Sequence, residues 1–181
     1  VVTAHLALAL TLVALVSGFT QRLLLPDCLK APLWWRLMAG GSLLAVFAQC
    51  LLGGRMATQW AAQKCLTQGE SCRWLILHRG FAIPVSIFIF IFVITALIVG
   101  GWARSQWPLL LTVSGLAGSQ IILGLLTSLV GLKQPFLTIG HQLLAALLVA
   151  FLSALFCRAP LKSTSNMPLI IDTPLLEPCH G

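Results

Sequence analysis

Residues 105–132 read SQWPLLLTVSGLAGSQIILGLLTSLVGL, and residues 134–157 read QPFLTIGHQLLAALLVAFLSALFC. Only Lys133 separates these two uncharged stretches, and each is longer than the ~20 apolar residues that an α-helix needs to cross a membrane. Similar apolar runs occur three more times upstream. We therefore predict an all-α integral membrane protein with five transmembrane helices. The helices are predicted over about residues 1–19, 36–54, 74–101, 108–132 and 136–157.

The composition excludes a water-soluble protein. Charged residues make up 8% of the chain and apolar residues 59%, and the mean hydropathy is +0.99, whereas about 25% of the residues of a soluble domain are charged. The net charge of +7 comes from 11 basic residues that are scattered over the loops without forming a patch. We therefore expect membrane lipid around the chain and no nucleic acid partner. Residues 158–181, with four prolines, are predicted to form a disordered cytoplasmic tail.

The loops give the expected orientation. Six basic residues lie on the side of loop 22–36 and the C-terminus, against five on the other side, so the positive-inside rule weakly favours a cytoplasmic location for the first side. The longest polar loop, on the other side, contains Cys65 and Cys72, whose spacing allows a disulfide; two free thiols are the alternative. Because disulfides persist in oxidising compartments, a Cys65–Cys72 bond places this loop outside the cytoplasm. Trp34 and Trp35 precede the second helix, and we expect both in an aromatic belt at the membrane interface.

Three histidines stand near one end of alternate helices. His5 lies in the first helix, His78 opens the third and His141 is near the start of the fifth. Alternate helices of a serpentine chain point the same way, so we expect the three imidazoles at similar depth. Because a polar side chain inside a membrane is costly, a histidine there usually has a function. Two facing imidazoles in a helix bundle are well suited to be the axial ligands of haem iron. The alternatives are an interfacial His78 beside a snorkelling Arg79, and a His141 that only hydrogen-bonds a neighbouring helix.

Residues beside the histidines suit the same interpretation. Gly80 and Gly140 are expected to let a flat macrocycle approach the backbone. Arg79 is suited to pair with a haem propionate, or else with lipid headgroups. The four acidic residues all lie outside the apolar runs, which argues against a carboxylate metal site or a carboxylate proton relay in the membrane.

A short element occurs twice in the even-numbered helices. Gln49–Gly53 reads QCLLG and Gln120–Gly124 reads QIILG. Each is followed by a helix that carries a histidine near its outer end, which indicates a duplicated helix pair. We interpret Gln49 and Gln120 as hydrogen-bond donors between helices.

The order of these elements resembles the heme A synthase (cytochrome oxidase assembly) family over residues 1–157. The resemblance implies that residues 22–157, helices 2–5, form a four-helix bundle that binds haem b between His78 and His141. Residues 1–21 resemble the last helix of an N-terminal half-bundle, in which His5 helps to bind the substrate haem O. The family oxidises a methyl group of haem O to the formyl group of haem A. The implied location is the bacterial plasma membrane, the thylakoid membrane or the mitochondrial inner membrane.

The departures from the family pattern concern catalysis. Leu75 stands where the family's N-terminal half has a glutamate, three residues before the His-Arg pair. We expect the chain to be a fragment, or a reduced homologue that needs the missing half, a second copy or haem O synthase as a partner. Whether the chain alone is an enzyme stays open. The leading hypothesis is a haem-binding membrane oxidoreductase, the second a non-catalytic haem-binding assembly or electron-transfer protein, and the third a small transporter or structural bundle.

Overall fold

A computed structural model describes residues 1–24, 29–55, 73–130 and 134–160. Five helices in this part of the chain are long and apolar enough to cross a membrane, as the sequence predicts. A sixth, short helix joins two of them on the side opposite the histidines. In chain order the helices are α1 (Val2–Leu24), α2 (Leu33–Gly54), α3 (Arg73–Val99), α4 (Gly101–Ser105), α5 (Trp107–Val130) and α6 (Pro135–Cys157).

Four of the long helices contact one another in a closed ring. The helix α2 packs against α3 and α6, and α5 packs against the same two helices. The helix α1 lies outside this ring, against α6 and, less extensively, α2. We call the end of the ring that carries His78 and His141 the histidine end, and the opposite end, which carries Trp35 and Trp102, the tryptophan end.

The tryptophan end is tightly packed around Trp35. Its side chain is fully buried, and the indole N–H donates a hydrogen bond of 2.9 Å to the backbone carbonyl oxygen of Leu155 in α6. The rings of Phe92 and Trp102 lie 5.2 Å and 4.8 Å from it, measured between centroids. The prediction that Trp35 belongs to a lipid-facing aromatic belt is therefore wrong. A buried tryptophan needs an acceptor for its N–H, and the end of α6 supplies one.

The connection after α3 also differs from prediction. The helix ends at Val99 and does not continue to residue 101, because Gly100 and Gly101 both have positive φ, 77° and 56°. This left-handed backbone, which glycine adopts without strain, turns the chain into α4. Arg104 then donates hydrogen bonds back to the carbonyl oxygens of Leu97, at 2.7 Å, and Ile98. These bonds satisfy carbonyl groups that the helix end leaves free.

The core occupies only half of the ring. Among the described residues, no apolar side chain is buried in α2 after Val46, in α3 before Ile89, in α5 after Ala117 or in α6 before Leu148. The buried apolar core therefore lies in the tryptophan half of the ring, and the apolar side chains of the histidine half are half-buried or exposed.

Candidate functional site

The structure brings His78 and His141 together at the histidine end. Their ring centroids are 6.4 Å apart and the ring planes are inclined by 83°. His78 lies on α3 and His141 on α6, the two helices that stand across the ring from each other, so the pair spans its interior. Both side chains are half-buried.

His78 is held by α2. The Gln49 side-chain amide donates a hydrogen bond to the backbone carbonyl oxygen of His78. In return, Nδ1 of His78 lies 3.1 Å from the backbone carbonyl oxygen of Gln49. Since that oxygen can only accept, Nδ1 carries the proton and Nε2 keeps its lone pair. Gly53 allows the close approach, because a Cβ there would stand 3.0 Å from Cε1 of His78.

His141 is held by α5 in a similar way. The Gln120 side-chain amide donates a 2.7 Å hydrogen bond to the backbone carbonyl oxygen of His141. A Cβ at Gly124 would lie 3.4 Å from Cε1 of His141. The interpretation of Gln49 and Gln120 as interhelical donors is thus confirmed. The role of the glycine that ends each element was missed, although the repeated motif contained it.

The two imidazoles differ in one respect. Nδ1 of His78 has a backbone acceptor. Nδ1 of His141 is buried and has no hydrogen-bond partner among the described residues. A buried polar atom without a partner is costly, and it calls for a ligand or an explanation.

Of the other predicted site residues, Arg79 lies next to His78 and His5 lies away from the pair. Arg79 is exposed and donates a 3.2 Å hydrogen bond to the hydroxyl of Ser128, which links α3 to α5. His5 is exposed on α1, outside the ring, and its Nδ1 lies 3.2 Å from the carbonyl oxygen of Val1, just before that helix. Within the described residues, the structure does not bring His5 into the pair.

Cys65 and Cys72 lie outside the described residues, as does the tail from residue 161, so the disulfide and the disordered tail stay predictions.

The glycines that the sequence singled out do not touch the rings. No atom lies within 4 Å of a Cβ built at Gly80, and at Gly140 the nearest is Cδ1 of Leu123, at 3.7 Å. The glycines against the imidazoles are Gly53 and Gly124 instead. Gly80 is exposed and, two positions after His78 along the helix, it faces away from the side that carries the His78 ring.

The two imidazoles suit a metal ion whose other ligands come from a cofactor and not from the protein. An imidazole nitrogen lies about 2 Å from a bound metal, so two rings that bind one ion from opposite sides have centroids roughly 6–6.5 Å apart. The observed 6.4 Å falls in this range. A bare zinc ion needs three or four protein ligands, and the described residues contain no group of three His, Cys, Asp or Glu that could hold a metal. Haem iron would need only two ligands from the protein, which is the number of imidazoles that the structure brings together.

Comparisons with protein-family models, with curated proteins and with solved structures give no match to this chain. The resemblance to the heme A synthase family stays a prediction, carried by the order of its short motifs.

Proposed function

We propose that the chain binds a b-type haem within the membrane, with His78 and His141 as its axial ligands, and acts as a membrane oxidoreductase of the heme A synthase type. The observation that carries the proposal is the facing imidazole pair, each ring seated on a Gln-x-x-x-Gly element of the neighbouring helix. A bound haem iron supplies one-electron redox chemistry.

The residues around the pair fix its geometry. Gln49 and Gln120 tie the backbone of each histidine to the neighbouring helix. The hydrogen bond from Nδ1 of His78 sets the tautomer that leaves Nε2 free to bind a metal, and such outer contacts orient the ligand and raise its basicity. We assign Arg79 to a haem propionate, because a guanidinium matches a carboxylate and the residue directly follows His78. Its alternative role is to anchor the helix to lipid headgroups.

A specific observation favours a second candidate function, a non-catalytic haem-binding assembly or electron-transfer protein. Conversion of haem O to haem A requires a site for the substrate haem, and by resemblance His5 belongs to that site. His5 is exposed outside the ring. An axial pair supplied by the protein suits electron transfer, since it occupies both faces of the iron. Under this alternative the oxidation of haem O depends on a partner that completes the substrate site, such as a second copy of the chain.

Two measurements separate these functions. The chain is expressed in a host that makes haem O but lacks heme A synthase, and the purified protein is examined by absorption spectroscopy. A low-spin haem spectrum supports both haem-binding functions, and a protein without haem contradicts both. Haem A in extracted membranes identifies the oxidoreductase; haem binding without haem A identifies the electron-transfer or assembly protein.

A further inference from the structure

A groove runs along the outside of the ring between α1 and α2. It has a volume of about 450 Å³ and lies in the half of the structure nearer the tryptophan end. One wall is formed by α1, where Leu15 and Phe19 are 53% and 66% exposed, and the other by α2, where Leu44 is 71% exposed. The floor is the last part of α6.

The groove lies where α1 is fastened to α6; α1 approaches α2 closely nearer the histidine end, where a Cβ at Gly54 would lie 2.5 Å from Cδ2 of Leu6. A Cβ at Gly18 would lie 2.9 Å from the sulfur of Cys157, so α1 and α6 approach closely there. Ser17 donates a hydrogen bond to the carbonyl oxygen of Ala150, and Ser153 donates one to that of Ala14, at 2.7 Å and 2.6 Å. No comparable bond in the described residues joins α1 to α2, and the space between these two helices is open beside residues 11–22.

The lining favours a hydrocarbon chain over a polar ligand. The hydroxyl of Ser153 is engaged with α1, and the hydroxyl of Thr11 donates to the carbonyl oxygen of Ala7 in its own helix. Most of the other lining side chains are Leu, Phe and Ala. A polar ligand would therefore lose its hydrogen bonds to water without gaining equivalent bonds to the groove.

The two ends of the groove differ in charge. Of the described residues that line it, only Arg22 is charged, and it stands at the tryptophan end. Thr11 marks the other end, 11 residues earlier in α1. At 1.5 Å per residue this corresponds to about 16 Å, close to half of the ~30 Å hydrocarbon layer. The groove thus has the length of one leaflet, with a cation at headgroup depth.

We infer that this groove binds a phospholipid with an anionic headgroup, the headgroup at Arg22 and one acyl chain extending toward Thr11. The tryptophan end carries further basic side chains, Arg36, Arg104 and Arg158, but none of these three lines the groove. A basic residue near the membrane surface favours an anionic headgroup over a zwitterionic one by about fivefold. The inference does not depend on haem.

The test uses the full chain in vesicles of equal amounts of phosphatidylglycerol and phosphatidylcholine. The protein is extracted with mild detergent, and the lipids that remain bound are counted by native mass spectrometry. We expect phosphatidylglycerol to be enriched about fivefold. Arg22→Gln should abolish the enrichment and Arg22→Lys should keep most of it. Arg36→Gln is the matched control, because Arg36 is exposed at the same end but does not line the groove.

A second variant tests whether an acyl chain occupies the groove. Leu44→Trp should fill the groove and reduce retention of both lipids, while Arg22 is unchanged. The inference would be overturned if the wild-type protein retained the two lipids in the same ratio as they have in the vesicles. It would also be overturned by an equal loss of enrichment in Arg36→Gln and Arg22→Gln, or by a dimer without bound lipid whose contact covers the groove.

Discussion

Gln49 and His78 exchange two hydrogen bonds: the Gln49 amide donates to the carbonyl oxygen of His78, and Nδ1 of His78 donates to the carbonyl oxygen of Gln49 over 3.1 Å. This reciprocal contact fixes the backbone and the ring of His78 relative to α2. Gln120 supplies only the first of these bonds to His141. The two imidazoles of the pair are therefore similarly placed but differently supported.

Removal of either glutamine should weaken haem binding. Gln49→Leu and Gln120→Leu keep the side-chain volume but lose the interhelical hydrogen bond, and loss of an outer contact to a metal ligand costs about tenfold or more in affinity. The measurement is the rate of haem transfer from purified protein to an excess of apomyoglobin. Gln142→Leu is the control, because Gln142 is exposed beside His141. An equally fast transfer from the Gln142 variant would contradict the assigned roles.

The two glycines should respond differently to the same change. In Gly53→Ala the new methyl group would lie 3.0 Å from the His78 ring, so the ring must shift, whereas in Gly124→Ala the distance to the His141 ring is an ordinary 3.4 Å contact. Overpacking of this kind costs about 1–3 kcal/mol. We expect Gly53→Ala to change the low-spin electron paramagnetic resonance signal and Gly124→Ala to leave it close to wild type. The opposite order would show that the packing around the rings is misassigned.

His141 should be the ligand that is more easily replaced. The hydrogen bond from Nδ1 raises the basicity of His78 as a ligand, and Nδ1 of His141 has no such bond within the described structure. We expect His141→Ala to retain more haem, in a five-coordinate form, than His78→Ala. Haem content per protein and the high-spin absorption bands measure this. Greater retention by His78→Ala would reverse the assignment.

Trp35 should control stability without affecting the histidine pair. Trp35→Phe removes the hydrogen bond to Leu155 and leaves a void in the closely packed tryptophan end, at an expected cost of about 1–3 kcal/mol in the free energy of unfolding. Thermal unfolding in detergent measures the loss. Trp34→Phe, at a partly exposed position, should cost less, and both variants should keep the wild-type haem spectrum. A spectrum altered by Trp35→Phe alone would show that the two halves of the ring are coupled.

The sequence predicts the helices better than their contacts. Five membrane helices follow from hydropathy alone, and the meeting of His78 and His141 is consistent with the expected common depth on alternate helices. The burial of Trp35 was not predictable, because the rotation of a helix about its axis decides whether an interfacial tryptophan faces lipid or protein.

The rotation of the helices, which the sequence does not reveal, also decides which residues support the site. The repeated motif contained Gly53 and Gly124, but only helix rotation decides which glycines face the imidazoles. His5 shares its predicted depth with the pair, yet its position outside the ring depends on which helices pack together. Depth follows from the distribution of charges along the chain, whereas neighbours depend on side-chain packing between helices.

The most direct test of haem binding by the pair is the spectrum of three alanine variants. We predict that His78→Ala and His141→Ala each lose the low-spin bis-imidazole absorption and electron paramagnetic resonance signals, while His5→Ala, on the helix outside the ring, keeps both. Wild-type signals in both His78→Ala and His141→Ala would show that these residues are not the ligands.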